Sequence, residues 1–253
     1  MSLTTPLPEV SEDTLLGGRV RLRQPIAGYR VAIDPVLLAA AVPATSADNI
    51  LDIGCGVGAA SLCLAMRVPG CRVVGIDRQR DAVRLASDNI ALNDLGARVS
   101  VMTGDLLHLP PRLEPGGFSQ VMANPPFLEA ASTSASPHPG KAAASIEGEA
   151  DLGAWVRFAL AMVCNRGGIT FVHRADRLGQ LLGELAPRAG EIVVFPLWPG
   201  DGKPAKRVVV HARKGSGAPL RLMPGLVLHR PDGRNTEAAE AILRHGAPMR
   251  LVP

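Results

Sequence analysis

The sequence predicts an α/β fold built on a mostly parallel sheet, with an N-terminal hairpin and a terminal antiparallel strand. Three observations carry this. Short apolar strands alternate with helical stretches from Asn49 to Leu185, the order in which helices serve as crossovers between parallel strands. Four successive strands end at or near Asp52, Asp77, Asp105 and Asn124, which lines these side chains along one rim, the edge where open α/β sheets bind ligands. A 253-residue chain that is 47% hydrophobic but only 3% aromatic has a core of Ala, Val and Leu large enough for one α/β globule.

Taken in order, Thr14–Gln24 reads as a hairpin, with a Gly17-Gly18 turn and Val20 and Leu22 alternating with Arg19, Arg21 and Arg23. Three exposed arginines on one short strand guard an edge or contact phosphate. Asp34 is placed as the N-cap of a helix over Val36–Ala41, with Pro35 at its first position. Asn49–Ile53 is a buried strand that runs into Gly54-Cys55-Gly56-Val57-Gly58 and a helix over Ala59–Met66. The glycines let the backbone turn tightly and approach a ligand, and the helix start offers free N–H groups. Strand Cys71–Ile76 ends in Asp77, helix Asp81–Leu92 follows, and strands Val99–Thr103 and Phe118–Ala123 complete the first half.

That last strand stops at Asn124-Pro125-Pro126-Phe127. Neither proline can carry the ladder onward, so the chain must leave the sheet in a stiff, shaped loop. Glu129–Ser145 is rich in Ala, Ser and Pro without any period, and a loop of that length is a lid, a binding loop or disordered. Leu152–Val163 reads as a helix, Gly168–His173 as a strand, Arg177–Leu185 as a helix, and Glu191–Leu197 with Ala205–Ala212 as a terminal antiparallel pair. The tail contains Leu226-Val227-Leu228-His229, a Pro231-Asp232-Gly233 turn and a helix near Thr236–Arg244.

Composition excludes several classes. The four cysteines, Cys55, Cys63, Cys71 and Cys164, lack Cys-x-x-Cys spacing and a His pair, which argues against zinc or a disulfide framework and for a reducing compartment. Met1–Val10 carries prolines and an acid in place of a signal peptide's basic and apolar regions, and no apolar stretch is long enough to span a bilayer. A soluble, cytoplasmic protein with no obligatory metal is expected. The net charge of +4 is uneven: ten Lys and Arg face four Asp and Glu from Asp201 onward, so residues 1–200 carry a net −2. Such a basic end suits a polyanion, or is simply a solvated face.

A glycine-rich turn after the first strand, with an acid ending the second, marks a nucleotide-type cofactor, and Gly54-Cys55-Gly56-Val57-Gly58-Ala59 fits the loose dinucleotide pattern. Asp52, just before the first glycine, speaks against a pyrophosphate, because like charges repel in a low-dielectric site. A cofactor with a cationic end and no phosphates suits it better. The stretch Asp52–Gly58 resembles the first motif of the class I methyltransferases, whose fold is Rossmann-like and seven-stranded. This resemblance implies S-adenosyl-L-methionine as cofactor. Its site would draw on Asp52, Gly54, Cys55, Gly56, Asp77, Arg78, Gly104, Asp105, Leu106 and Asn124. Asp77 would bind the ribose hydroxyls and Asp105 the adenine amine.

Asn124-Pro125-Pro126-Phe127 resembles the Asn-Pro-Pro-Tyr/Phe motif of enzymes that methylate planar exocyclic or amide nitrogens. An aryl amine is a poor nucleophile because its lone pair is delocalised. Two acceptors, the Asn124 side-chain oxygen and the Pro125 carbonyl, would concentrate density on nitrogen and aim it, while Phe127 stacks on the base. Gln24–Leu38, Val172–Leu178, Arg213-Lys214-Gly215 and Ala218-Pro219-Leu220 are similar to the bacterial tRNA1(Val) adenine-N6 methyltransferase family. That implies an anticodon-loop adenine as acceptor, tRNA as partner and Asp34 near the methionine end of the cofactor. Arg30, Arg174, Lys206, Arg207, Arg213 and Lys214 are the candidate phosphate contacts; His173 is either an RNA contact or strand-end packing. The expected organisation is a hairpin and helix over residues 1–48, a methyltransferase core over 49–213 and a basic extension over 214–253 in the same globule. The four-residue motif fits adenine, guanine N2 and a protein glutamine amide alike, and the alternatives include a noncatalytic RNA-binding protein on the same fold. The protein-amide enzymes usually add a helical N-terminal domain, which the segment before Asn49 is too short to supply.

Overall fold

Strand β3 (Asn49–Ile53) sits at the centre of a sheet whose order is β10-β8-β9-β7-β6-β3-β4-β5, with β11 also on β8. The structure is a computed structural model, and it describes residues 9–27, 30–126 and 150–251. The strands are β4 (Arg72–Asp77), β5 (Val99–Thr103), β6 (Phe118–Ala123), β7 (Val163–Arg174), β8 (Ala189–Gly200), β9 (Arg207–Lys214), β10 (Arg221–Leu222) and β11 (Leu226–His229). The pairings β3–β4, β3–β6, β4–β5 and β6–β7 are parallel, while β9 runs antiparallel to both β7 and β8.

The expected seven strands are present as β8-β9-β7-β6-β3-β4-β5, but among the described residues the sheet has nine. The reason lies in β8. It runs for 12 residues, and its outer edge would otherwise present a row of unpaired backbone groups. β10 covers Val193 and Val194, and β11 covers the stretch from Leu197 to Gly200. β7 is also longer than its expected Gly168–His173, because a register shift lets Val163 pair with Phe118 before Gly168 pairs with Gln120.

Strand residues alternate between two cores, as the period of two requires. Ile50, Val73, Met122, Val172 and Val209 face one core, with α1 (Asp34–Ala41) and α2 (Ala59–Arg67) packed on it. Leu51, Ile53, Val121, Ala123, Ile169 and Phe171 face the other, against α4 (Leu152–Met162) and α5 (Leu178–Leu185). α3 (Arg80–Leu92) adds Ile90 to the first core, and α6 (Glu237–Leu243) adds Ala239 and Ile242. No helix among the described residues is long and apolar enough to cross a membrane.

The hairpin is longer than its sequence signal. β1 (Val10–Leu15) pairs with β2 (Val20–Pro25) across a 3-10 turn at Leu16–Gly18. Val10-Ser11-Glu12-Asp13 has no apolar alternation, so nothing in it announced a strand; the cross-strand partners of β2 impose it. Arg21 and Arg23 both answer Glu12, at 2.7 and 3.4 Å. Val20 and Leu22 are fully buried in the first core. Asn89 of α3 then clamps the hairpin: its Oδ1 accepts from Arg23 N–H at 2.7 Å, and its Nδ2 donates to the Arg23 and Val57 carbonyls at 2.9 and 3.0 Å. Asn89→Ala removes the partner of three part-buried backbone groups and is expected to cost about 1–3 kcal/mol, read as a lower urea midpoint with an unchanged slope; a midpoint equal to wild type would contradict this role.

Candidate active site

Ladder register builds the rim. Ile53 is level with Ile76 on β4 and with Ala123 on β6, and Asp77 is level with Thr103 on β5. The next residues along each strand, Gly54, Asp77, Gly104 and Asn124, therefore leave the sheet side by side.

The turn after β3 needs its glycines. Gly54, Gly56 and Gly58 have φ of 70°, 55° and 88°, the left-handed region that side chains disfavour. Backbone donors pin the turn to β4: Gly54 N–H and Cys55 N–H both donate to the Ile76 carbonyl, at 2.8 and 2.9 Å. Gly56 N–H donates to Asp77 Oδ2 at 2.9 Å, and Gln79 N–H to Asp77 Oδ1 at 2.8 Å. Each Asp77 oxygen keeps a lone pair for a further donor. Cys55 packs over Gly75, where a Cβ would lie 2.9 Å from its sulfur, and burial pushes its thiol well above the ordinary range.

Asp52 is 2% exposed and accepts from Ser61 Oγ at 2.6 Å. Burial pushes its carboxyl up to about 7, the charge of Asp77 adds to this, and the Ser61 hydrogen bond opposes it. Asp77 is raised as well, first by burial, against the Gln79 and Gly56 N–H bonds and the exposed Arg78. Gly104 N–H donates to the Asp77 carbonyl at 3.0 Å, and Pro110 fills the space where its side chain would be. Asp105 is half-exposed, with Oδ1 accepting from Leu107 N–H at 3.0 Å; Leu106 packs against the second core.

Asn124 is half-buried, Pro125 buried. The Asn124 Oδ1 is itself buried and has no hydrogen-bond partner among the described residues. Phe127 and the Glu129–Ser145 segment lie outside the described residues, as does Tyr29.

Sequence reasoning did not single out Ser61 or Trp155. A serine in the first turn of a helix after a glycine loop was the available signal for Ser61. Trp155 looked like any core aromatic on an apolar helix, yet its ring occupies the space of a Gly54 side chain: a Cβ there would lie 2.4 Å from the indole Cη2.

Asp34 does not act as an N-cap. Ile33 holds the cap position without a side-chain bond, and Asp34 is the first helical residue. Its carboxylate accepts from Arg207 Nε at 3.1 Å, a bond in which both partners are charged.

The six candidate phosphate contacts do not share one surface. Arg174 faces Arg207 across β7 and β9, with exposed Lys206 beside it at the rim. Arg213 and Lys214 lie at the other end of β9, opposite Gly168 and Ala189. Most of these cations also have acidic or carbonyl partners within the chain: Arg30 with Asp13 at 2.8 Å, Arg174 with Asp176, Arg213 with Glu191 at 3.1 Å, and Lys214 with the Val163 carbonyl at 2.9 Å. His173 is fully buried, and burial with the charges of Arg177 and Arg207 lowers it to about 4. No group of three or more His, Cys, Asp or Glu among the described residues could hold a metal ion.

The strand order, the antiparallel β9 and the glycine turn pinned to an acid-ended β4 define the class I methyltransferase fold. A crystal structure of a protein from Agrobacterium tumefaciens, described as a predicted O-methyltransferase, shares that fold with a TM-score of 0.71 and 24% identity, over 85% of this chain and 98% of that one. Residues 30–138 match the family described as methyltransferase small domain. A Vibrio parahaemolyticus protein named tRNA1(Val) (adenine(37)-N6)-methyltransferase is 35% identical over 101 residues, 40% of this chain and 41% of that one. An Erwinia tasmaniensis protein of the same name is 34% identical over 109 residues, 43% and 44% of the two chains. The matched segments thus span about two fifths of these relatives' length. The likeness to the tRNA1(Val) methyltransferases read from the sequence is borne out by these relatives and by the family match.

Burial of Asp52 has a measurable sign. Its carboxyl is protonated in the fold below about pH 7 but in the unfolded chain only below about pH 4. Stability from this group is therefore full below about pH 4 and lost as pH rises through about 7. His173 and His211, both lowered to about 4 by burial, act in the opposite direction and cancel in a comparison of variants. The urea midpoint of Asp52→Asn relative to wild type is expected to climb between about pH 4 and 7 and then level off; a pH-independent difference would refute the assignment.

Proposed function

We propose that this protein transfers a methyl group from S-adenosyl-L-methionine to the N6 amine of an adenine in tRNA. The observation that carries the chemistry is Asn124 Oδ1, a buried acceptor with no partner among the described residues, at a strand end directly beside the glycine turn. A buried polar atom in that position calls for a donor from a ligand.

The residues fit the cofactor. Two carboxylates, Asp52 and Asp77, flank the turn, a poor setting for phosphates and a good one for an amino group and a sulfonium. Asp77 keeps acceptor capacity for ribose hydroxyls, and the half-exposed Asp105 reaches the far end of the rim for an adenine amine. Bound S-adenosyl-L-methionine supplies an electrophilic methyl group whose bond to sulfur breaks as nitrogen attacks. Asn124 Oδ1 and the Pro125 carbonyl accept the two amine N–H groups, localise the lone pair and aim it. The proton leaves to solvent after transfer, so no strong base is required. Phe127 is assigned the stacking contact with the base.

The adenine and the tRNA are supported by the names of the relatives, and by Arg174, Lys206 and Arg207 at the same rim. A single-stranded loop base is easily splayed into such a site. The test is incubation with labelled S-adenosyl-L-methionine and tRNA lacking the modification, followed by nucleoside analysis. Label in N6-methyladenosine is expected, falling at least 100-fold in Asn124→Ala while cofactor binding persists. Label in N2-methylguanosine or in protein glutamine, or an Asn124→Ala enzyme of near wild-type rate, would overturn the reading.

A further inference from the structure

Trp155 stands out among the buried groups that the proposed chemistry leaves unused. It lies in the first turns of α4, whose N-terminal end is at the rim because the chain enters it from β6. Two independent observations concern it. The benzo edge of the indole fills the space of a Gly54 side chain, with Cη2 and Cζ3 at 2.4 and 3.0 Å from where a Cβ would stand. The ring therefore touches the first residue of the turn. Its Nε1–H is buried without a partner among the described residues, in a side chain whose residue is 8% exposed.

The second tryptophan shows the contrast. Trp198, although only half-buried, donates its indole N–H to the Pro224 carbonyl at 2.9 Å, and a buried indole N–H has the greater need of a partner. Trp155 in α4 and Asn124 at the end of β6 are thus two buried groups without a partner among the described residues, one a donor and the other an acceptor, and the residue before Asn124 is level with the residue before Gly54.

Resting on the methyl-donor reading above, we infer that Trp155 is a binding residue for the methyl donor: its ring walls the pocket against Gly54, and its N–H donates to an acceptor oxygen or nitrogen of the bound donor. A packing role alone accounts for the ring but not for the N–H. The ring also explains why Gly54 must be glycine beyond its backbone angle. Any side chain there displaces the indole.

The chain has two tryptophans, so in Trp198→Phe the emission reports on Trp155 alone. Titrating that protein with S-adenosylhomocysteine is expected to shift Trp155 emission saturably, with the same midpoint as calorimetry. Trp155→Phe keeps an aromatic ring on Gly54 and removes the N–H. It is expected to weaken S-adenosylhomocysteine about tenfold, while the ligand-free melting temperature moves by only a few degrees. An affinity within twofold of wild type overturns the inference. If Trp155→Phe does not fold, the emission decides: a saturable shift supports the inference, and silence at saturating ligand overturns it. Failure of the wild-type protein to bind S-adenosylhomocysteine overturns the methyl-donor reading together with this one, whereas binding that leaves both readouts unmoved overturns this one alone.

Discussion

The rim depends on the turn from Gly54 to Gly58 being tied to the end of β4. Three consecutive N–H groups, from Gly54, Cys55 and Gly56, are spent on the Ile76 carbonyl and the Asp77 carboxylate. The left-handed glycines make that geometry accessible, and the hydrogen bonds select it. With the turn fixed, Asp77 holds its place, α2 starts where it can present Ser61 to Asp52, and Gly54 opens a space that Trp155 fills. Loosening this one tie would disperse the carboxylates, the indole and Asn124 together.

The electrostatics of the site follow from that packing. Asp52 is held by the Ser61 hydroxyl and backbone N–H, both neutral donors, with a second carboxylate nearby. A fully buried carboxylate in those surroundings loses more to desolvation than these neutral donors return, so the charged form waits for a cation. At the outer rim the balance reverses. Arg207 reaches a nearly buried Asp34, 173 residues away in sequence, and this bond ties the start of β9 to the first turn of α1. The exposed pairs Arg30–Asp13 and Arg174–Asp176 contribute little to stability, which leaves those guanidinium groups able to exchange a carboxylate for a phosphate.

Much of this was legible in the residues. Short, largely apolar stretches that stop at or near Asp52, Asp77 and Asn124 announced parallel strands and their common rim, because a strand's end and the polarity of its last residue are local facts. Other features depend on partners distant in sequence. β10 and β11 are two and four residues long, and they are strands only because β8 offers an edge. Val10–Asp13 is a strand because β2 lies beside it. Asp34 looked like a cap because Pro35 follows it, and only the fold brings Arg207 within reach. The basic excess after Asp201 suggested one surface, yet an eight-residue antiparallel strand carries Arg207 to one end of the sheet and Arg213 to the other.

The cofactor proposed for the rim is cationic and free of phosphates. Calorimetry of the wild-type protein against S-adenosylhomocysteine and, separately, against NAD tests this most directly. Saturable one-to-one binding of S-adenosylhomocysteine is expected and none of the dinucleotide, because the Gly54, Cys55 and Gly56 N–H groups that would cradle a pyrophosphate are already spent on the Ile76 carbonyl and the Asp77 carboxylate. Binding of NAD in preference to S-adenosylhomocysteine would contradict it.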